Sequence, residues 1–442
     1  MKWLKWFTQI FIFLFVVVFA LFKAPQKVDY KNEAFYRKTQ TCIDSIAKQV
    51  SPYEVMEWKV GWGEAAIIPS SPIDFAGYGR KGKFEFVADT TKVKTLLLLS
   101  PTVALLLVEF DLLIITPTLK HAITRAVEKR FPTIRHIYFT ASHTHKSYGG
   151  WSEDIAGKLL LGGYQPEVVE LLMNQTVTAT EQAFSNCERA KIYYKAIQAS
   201  DWVKNRLDER GYEDAYLRMI VFEKEKGQKG LLATFAAHAT CLSSRFKGLS
   251  GDYPSLVAQQ LMQKGYDFAM MVAGAVGSHS HTAKDGSYEA LKEYAKGLAD
   301  QFEKSPTDSF LLNVPQEVKF AEIPISLPEP QWRIAPRVCF RSWVFHALFA
   351  HTPKEPFITY LKLGEVVFLG MPCDFSGELY PLLNAYPHRL VVTSFNGSYT
   401  GYFSHPSRYY LNNPETRDMN WYGENASVYL VDIVNRLLER MK

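Results

Sequence analysis

Apolar runs of strand length alternate with longer amphipathic stretches along most of the chain, and this alternation limits the fold more than any other feature. Residues 95–99 and 103–110 read as buried strands, residues 119–131 have helical spacing, and residues 134–140 read as another strand. Two further pairs of runs predict hairpins, at residues 217–223 with 230–237 and at residues 357–363 with 365–370. Hairpins and single strands interleaved with helices predict an α/β (mixed α+β) fold, with mixed and antiparallel sheets covered by helices in one large domain.

The first 22 residues have the pattern of an export signal. Lys2 and Lys5 precede residues 6–22, which are apolar except for Thr8 and Gln9. As a helix, this stretch is roughly 25 Å long, at the lower margin for crossing a bilayer. Lysines at the front favour an amino terminus held inside. We therefore expect an exported protein, membrane-anchored with its body outside the cytoplasm, or secreted if the signal is cleaved.

Three regions are predicted along the chain: residues 1–23 as signal peptide or anchor, 24–52 as a tether and helix, and 53–442 as the main domain. The net charge of +5 is spread over the length without a basic run, so nucleic acid is not an expected partner. The five cysteines form no Cys-x-x-Cys pair, and no catalytic role is assigned to them. No feature of the sequence predicts an oligomeric state.

Polar side chains with metal-binding chemistry follow several of the predicted strands. His143 and His145 come after the strand at 134–140, and residues two apart in an extended chain share a face. His238 ends the strand at 230–237, Asp374 follows the strand at 365–370, and Tyr402 closes the turn after residues 390–395. Imidazole, carboxylate and phenol groups together suit a catalytic zinc site with an open position for water. The alternative is that each of these groups makes only local polar contacts.

Read in order, these segments resemble the neutral ceramidase family. His143-Thr-His145 is similar to the family's His-Thr-His segment, and His238 to a later histidine among small residues. Asp374 stands in the place of the glutamate in a Pro-Gly-Glu turn, and the stretch from Asn396 to Tyr402 is similar to an Asn-x-Tyr-x-x-Tyr turn. The similarity runs from about residue 57 to the end. It implies the fold of the family's catalytic domain and a zinc-dependent amidase that acts on a lipid-like amide.

The resemblance also implies roles for single residues. Its zinc ligands, for one ion per chain, would be the four residues His143, His238, Asp374 and Tyr402.

Four further residues receive catalytic roles through the resemblance and the chemistry of amide hydrolysis. His145 would handle protons or support a ligand, since imidazole titrates near neutral pH. Arg206 would hold the polar head or the oxyanion, and Tyr399 would donate to the same oxyanion. Ser280 stands at the position of the family's catalytic serine.

The chain departs from the family pattern at three places. Asp374 is one methylene shorter than the family's glutamate, so the backbone has to come closer to a metal. Lys146 and Tyr148 replace small residues beside the histidine pair. The Asp-Val-Ser-Pro context of the catalytic serine becomes Ser-His-Ser-His around Ser280, where His279 and His281 are available as a base or a further ligand.

These departures leave other functions open. One is a zinc hydrolase of the same fold that acts on a non-ceramide amide, such as a cell-envelope amide or an N-acyl amino acid. Another is a catalytically silent relative that binds a lipid or its headgroup. A third is a serine hydrolase built from Ser280, Asp252 and either His238 or His279, but no Gly-x-Ser-x-Gly turn precedes a helix.

Overall fold

The computed structural model describes residues 2–79, 82–349, 355–384 and 389–442. Its helices are α1 (Lys2–Leu21), α2 (Ala34–Gln49), α3 (Pro117–Arg130), α4 (Ile155–Leu160), α5 (Pro166–Ser185), α6 (Asp252–Gln263), α7 (Tyr288–Gln301), α8 (Ser342–Leu348) and α9 (Ala426–Arg440). Its strands are β1 (Phe22–Lys23), β2 (Tyr53–Val55), β3 (Lys59–Ala66), β4 (Phe86–Val87), β5 (Lys92–Leu99), β6 (Ala104–Phe110), β7 (His136–Ala141), β8 (Glu188–Gln198), β9 (Val203–Asn205), β10 (Tyr216–Lys224), β11 (Lys229–Phe235), β12 (Gly248–Leu249), β13 (Phe268–Ala273), β14 (His279–His281), β15 (Asp308–Leu311), β16 (Gln316–Pro324), β17 (Arg333–Ala335), β18 (Val338–Phe340), β19 (Phe357–Leu363), β20 (Val366–Met371), β21 (Asp374–Phe375), β22 (Leu390–Ser394) and β23 (Tyr402–Phe403).

Most strands form two mixed sheets. The larger has nine strands in the order β13-β11-β10-β8-β3-β5-β6-β7, with β15 also paired to β8. The smaller has the order β2-β16-β19-β20-β22. Most neighbours are antiparallel, but β6 with β7, β11 with β13, and β20 with β22 are parallel pairs. The predicted class, with mixed and antiparallel sheets and helices, is confirmed.

The two sheets stack face to face, because alternate residues of each strand belong to different cores. In β5, Leu96 and Leu98 pack between the sheets against β19 residues such as Leu361, whereas Leu97 faces the helices. In β19, Tyr360 packs on the opposite side of its sheet, against α2 and α9. Helices α3 and α5 cover one part of the larger sheet, and α6 and α7 cover another. The result is four layers, with helices outside and two sheets inside.

The local signals of the sequence explain why these elements begin where they do. Helix α3, predicted at residues 119–131, starts at Pro117, whose fixed φ suits a first helical position. Thr116 caps it by accepting a hydrogen bond from the backbone nitrogen of Leu119. Both predicted hairpins are present, as β10 with β11 and β19 with β20.

Strands from both sheets end at one place. The Ser394 hydroxyl, at the end of β22, donates to the Gly274 carbonyl just beyond β13, at 2.8 Å. The Thr140 hydroxyl in β7 donates to the Ser394 carbonyl at 3.2 Å. These bonds hold the carboxyl ends of the parallel pairs together. The residues that follow these ends therefore meet in one small volume, where polar side chains can act on a ligand.

Candidate metal centre

His143 is held by an unusual backbone. It lies just after β7 with φ of 63°, in the left-handed region that side chains other than glycine rarely adopt. Its ring stacks on Phe395, whose φ is 67°, with the ring centroids 4.1 Å apart. Strained residues of this kind cost on the order of 1–3 kcal/mol each and persist where the surrounding structure fixes them. This backbone conformation directs the His143 ring into the small volume where the strands of both sheets end.

The rings of His143, His145 and His238 each direct their Nε2 atom at one common position. The Nε2 atom of His143 lies 3.0 Å from that of His238 and 3.4 Å from that of His145. The Nε2 atoms of His145 and His238 are 2.9 Å apart. One zinc ion bound to tetrahedrally arranged nitrogens would separate them by about 3.3 Å. The three rings can therefore hold a single metal ion.

The tautomer of His143 supports a cation at this position. Its Nδ1 lies 2.6 Å from the Leu113 carbonyl oxygen, which can only accept, so Nδ1 carries a hydrogen. Its Nε2 then presents a lone pair to the ring of His238 and to Asp374 Oδ1, which is 3.2 Å away. A proton there could bond to one neighbour, whereas a metal ion satisfies all of them. A carbonyl behind the ring is the usual support of a histidine ligand.

Two oxygen donors complete the group. Among the described residues, Asp374 Oδ1 has no hydrogen-bond partner although the side chain is fully buried. Its other oxygen, Oδ2, accepts a hydrogen bond of 2.8 Å from the Tyr399 hydroxyl. The Tyr402 hydroxyl lies 3.5 Å from His238 Nε2. An unpartnered buried carboxylate oxygen beside three imidazoles is the donor set that zinc accepts, so the residues present fit this ion.

The electrostatics of the centre favour metal-binding forms of the histidines. Burial lowers the pKa of His145 well below its usual value, and the His143 ring adds to this effect. Burial also lowers the pKa of His238, with Arg206 as the next cause. Both rings are therefore neutral at physiological pH, which leaves a nitrogen lone pair free for a metal. Burial and Asp374 raise the pKa of the Tyr402 phenol, so it is neutral in the absence of a metal ion.

Arg206 lies against the outer side of His238. One guanidinium nitrogen is 3.3 Å from His238 Nδ1 and donates to the Gly277 carbonyl at 3.1 Å. Another forms an ion pair of 2.9 Å with Glu415. Its Nε is buried without a partner among the residues described, which leaves one donor uncommitted.

The Tyr399 hydroxyl, by contrast, gives its hydrogen to Asp374 and cannot give the same hydrogen to an oxyanion.

Ser280 lies in β14, and its backbone bridges to that of His238. Its hydroxyl donates to the His281 carbonyl at 3.2 Å, and within the described ranges no hydrogen bond joins it to the metal-binding side chains. The components of a serine triad are also engaged elsewhere. The Asp252 carboxylate accepts from three backbone nitrogens, and His279 accepts from the Asp214 backbone nitrogen at 2.8 Å. Over the described ranges, the structure therefore brings the predicted metal ligands close to one another but forms no Ser-His-Asp arrangement.

Some supporting residues gave no signal in the sequence. The Leu113 carbonyl behind His143 lies in an apolar loop, and a backbone acceptor has no sequence signature. Glu415, the partner of Arg206, follows no motif, and its contact joins distant parts of the chain. The ring of Trp421 packs edge-on against Tyr399 at 5.7 Å and so fixes the group that orients Asp374.

Comparisons with known proteins agree with this geometry. The family model described as "Neutral/alkaline non-lysosomal ceramidase, N-terminal" matches residues 60–283. No curated protein sequence matches the chain. The crystal structure of neutral ceramidase from Pseudomonas aeruginosa has a similar fold, with a TM-score of 0.75 at 15% identity over 87% of this chain and 75% of that one. A structure described as "Ceramidase complexed with C2" gives a TM-score of 0.73 at 15% identity, over 87% and 76% of the two chains.

Proposed function

Because the chain belongs to the neutral/alkaline non-lysosomal ceramidase family, we propose that it is a zinc-dependent amidohydrolase that cleaves the N-acyl amide bond of ceramide or a related N-acyl lipid. The observation that carries this proposal is the convergence of the Nε2 atoms of His143, His145 and His238 on one position. Asp374 Oδ1, which has no hydrogen-bond partner among the described residues, lies 3.2 Å from the Nε2 of His143. A buried group of lone pairs without donors is costly unless a cation binds it. Zinc is the ion that this mixture of nitrogen and oxygen donors suits best.

The proposed zinc ligands are His143, His238, Asp374 and Tyr402, with the Nε2 of His145 directed at the same position. When bound, zinc would supply Lewis acidity, which polarises a carbonyl and lowers the pKa of water. The Leu113 carbonyl holds the His143 tautomer, and the Tyr399 hydroxyl holds the carboxylate of Asp374. These contacts keep the donors in position through the reaction.

Proton transfer and charge stabilisation fall to the remaining residues. We assign proton transfer between the nucleophile and the leaving amine to His145, which is half-buried and whose Nε2 lies 3.4 Å from that of His143. The uncommitted Nε of Arg206 is a donor for the substrate's polar head or the oxyanion. We propose that the Ser280 hydroxyl also takes part in catalysis. If its hydroxyl acts in catalysis, Ser280→Ala lowers kcat about 100-fold or more; unchanged kcat would exclude it.

The likeness in fold does not distinguish ceramide from other N-acyl lipids. The second candidate is a zinc hydrolase that acts on another amide, such as a cell-envelope amide or an N-acyl amino acid. It is favoured by the loop from Gly277 to His281, where Ser280 bonds to its own strand and His279 bonds to the Asp214 backbone. A catalytically silent lipid-binding relative would keep the fold without zinc.

The membrane is the second proposed partner. Helix α1 carries an apolar stretch of 19 residues, Trp3–Leu21, none of it buried inside the protein, which is long enough to cross a bilayer. We propose that the rest of the chain lies outside the cytoplasm, because Lys2 and Lys5 stand at the amino-terminal end of the helix. An enzyme held at a bilayer meets a lipid amide by lateral diffusion.

The decisive experiment is turnover by the full chain in detergent micelles that contain ceramide, other N-acyl lipids or N-acyl amino acids. We expect hydrolysis of at least one N-acyl lipid, loss of activity with a zinc chelator, and recovery when zinc is returned. Hydrolysis of N-acyl amino acids alone would favour the second candidate. A zinc-loaded chain without activity on any amide would contradict the enzymatic proposal.

A further inference from the structure

The chain does not leave the apolar helix as a free tether. Directly after α1, β1 pairs antiparallel with β18, in the register Phe22 with Phe340 and Lys23 with Cys339. Further on, the side-chain amide of Gln331 bonds to both the nitrogen and the carbonyl of Gln26, at 2.5 and 2.9 Å. The segment predicted as a tether is therefore fixed to the body along its length.

The end of α1 is capped by residues from the distant part of the chain. The last carbonyls of a helix have no partner within it. Arg341 donates to the Phe19 carbonyl through its side chain and to the Leu21 carbonyl through its backbone, both at 2.8 Å. The indole nitrogen of Trp343 donates to the Ala20 carbonyl at 3.0 Å. If α1 spans a bilayer, Arg341 and Trp343 lie at its surface, where arginine and tryptophan are favoured.

Exposed apolar side chains surround the contact between the end of α1 and residues 341–343. Trp343 in α8 is 55% exposed, and Ile334 in the β17–β18 hairpin is 41% exposed. Helix α4, which contacts α8, adds Leu159 at 56% and both Ile155 and Leu160 at nearly half exposed. We define α4, the β17–β18 hairpin and α8 as the bilayer face. Exposed apolar residues clustered on one side of a protein mark an interaction surface rather than chance exposure.

Charge and shape on this face fit phospholipid. An open cleft of about 280 Å³ separates the last turns of α1 from the hairpin. Its α1 wall is apolar, with Phe15 and Phe19, and its border carries Lys23 and the exposed Arg337. An acyl chain can lie along the rings, while the two cations bind the phosphodiester of the headgroup. A bilayer is therefore a better occupant than a second protein, because α1 already brings lipid to this place.

The bilayer face and the metal centre belong to one packed unit. A series of aromatic rings with centroids 5.0 to 5.7 Å apart connects the Tyr399 ring beside Asp374 to the base of α1: Tyr399, Trp421, Phe349, Trp332, Phe340 and Phe22. Because close-packed rings leave little free space, one ring cannot shift without displacing the next. The orientation of the bilayer face therefore fixes the orientation of the metal centre relative to the membrane.

We propose that the bilayer face lies on a lipid bilayer, so that α1 and this face together hold the metal centre in one orientation for substrate taken from the membrane. This proposal rests on the proposed function for its substrate and on retention of α1. It predicts that residues of α8 contact lipid although they lie more than 300 positions after the anchor.

Lipid contact can be measured directly on the full chain. In a background with Cys42→Ser and Cys187→Ser, which removes the two half-buried thiols, Trp343→Cys and Met56→Cys each receive an environment-sensitive fluorophore. Met56 is 66% exposed, lies between β2 and β3 and belongs to none of the elements that define the bilayer face, so it is the matched control. The protein is reconstituted in phosphatidylcholine–phosphatidylglycerol vesicles with nitroxide-labelled acyl chains. We expect quenching at position 343 and none at position 56. Equal quenching at both, or none at either, would overturn the proposal.

A kinetic test separates this proposal from the proposed function. The double variant Trp343→Ser with Ile334→Ser should raise the apparent KM for a vesicle-borne N-acyl lipid about five- to tenfold, because less apolar surface contacts the bilayer. Its kcat, and its turnover of a short-chain water-soluble N-acyl substrate, should stay unchanged, as should all values for Met56→Ser. An unchanged KM on vesicles would contradict the proposal. If the natural chain hydrolyses neither substrate, the proposed function fails, and the quenching result still decides the bilayer face.

Discussion

Two groups of buried polar side chains lie on the larger sheet, and they differ in how their atoms are satisfied. At the metal centre, donors from several strand ends point at one position. In the second group, Glu109 of β6 lies opposite Lys94 of β5 and Thr140 of β7. Glu109 is fully buried, and within the described part of the chain neither of its carboxylate oxygens has a hydrogen-bond partner. The nearby Asp111 also has one unpartnered oxygen.

The difference is whether a proton can resolve the burial. Burial and the charge of Asp111 raise the pKa of Glu109 well above its usual value, so the carboxyl group is neutral and needs no cation. At the metal centre, a proton on His143 Nε2 can satisfy only one of its neighbours. Burial alone therefore does not identify a metal site. The proposed metal site rests instead on the convergence of lone pairs that no single proton can satisfy.

Removing one of the converging nitrogens should have the largest effect. His238→Ala is expected to abolish zinc binding and to lower kcat by about 10⁴-fold or more, because ligand and catalyst are lost together. His121→Ala is the matched control, since His121 is exposed on α3. Zinc content and turnover are measured on both variants. Retained zinc and turnover in His238→Ala would remove the metal centre from the account.

Removing the charge of the Asp374 carboxylate should have the second-largest effect on zinc binding. Asp374→Asn keeps the shape of the side chain but removes the charge that faces His143. We expect zinc affinity to fall more than about 100-fold, beyond the effect of losing an outer partner. Competition with a chelator of known affinity measures the change. An affinity within twofold of the natural chain would mean that Asp374 is not a ligand.

The outer partner of Asp374 should have a smaller effect. Tyr399→Phe removes the hydroxyl that donates to Asp374 Oδ2 but keeps the ring against Trp421. Zinc affinity or kcat should fall about 10- to 100-fold. Tyr410→Phe is the control, because the Tyr410 hydroxyl bonds to Glu424 at the surface. Equal behaviour of the two variants would contradict the orienting role of Tyr399.

Substitution in the second polar group, at Glu109, should change the stability of the fold but not zinc binding. The folded state holds the Glu109 proton more tightly than the unfolded chain, so this stabilising contribution is full at acidic pH and is lost as pH rises towards the raised pKa. Glu109→Gln cannot ionise, so above neutral pH it should equal the natural chain or exceed it by about 1–2 kcal/mol in unfolding free energy. Its zinc content should be unchanged. Denaturant unfolding at acidic and alkaline pH measures the first effect; loss of zinc would contradict the contrast between the two groups.

Much of the fold follows from local patterns. Strand β19 covers the predicted residues 357–363, and helix α3 begins within two residues of its predicted start, because a buried strand and an amphipathic helix each leave a clear spacing of apolar residues. Strand β8 has no matching prediction, because Arg189, Lys191 and Lys195 alternate with its apolar residues and leave no continuous apolar run. Tertiary pairing with β10 and β3 makes it a strand in spite of its composition.

The sequence indicated which side chains come close together, but not the backbone geometry that brings them there. His143 and His145 were expected to share a face as residues of an extended chain, but His143 has a left-handed backbone and no strand continues there. The two rings still meet, because Phe395 and the Leu113 carbonyl fix the His143 ring. The Glu109 carboxyl group gave no sequence signal as a buried acid, since whether an acid is satisfied depends on strands that are distant in the chain.

The claim that His143, His238, Asp374 and Tyr402 hold one metal ion, with His145 directed at the same position, is tested most directly by elemental analysis of the purified full chain. After extensive dialysis against zinc-free buffer, we expect about one zinc per chain, removed by chelator together with thermal stability and restored when zinc is added. Protein that is folded and free of zinc, and whose melting temperature does not respond to zinc at any concentration, would contradict the account.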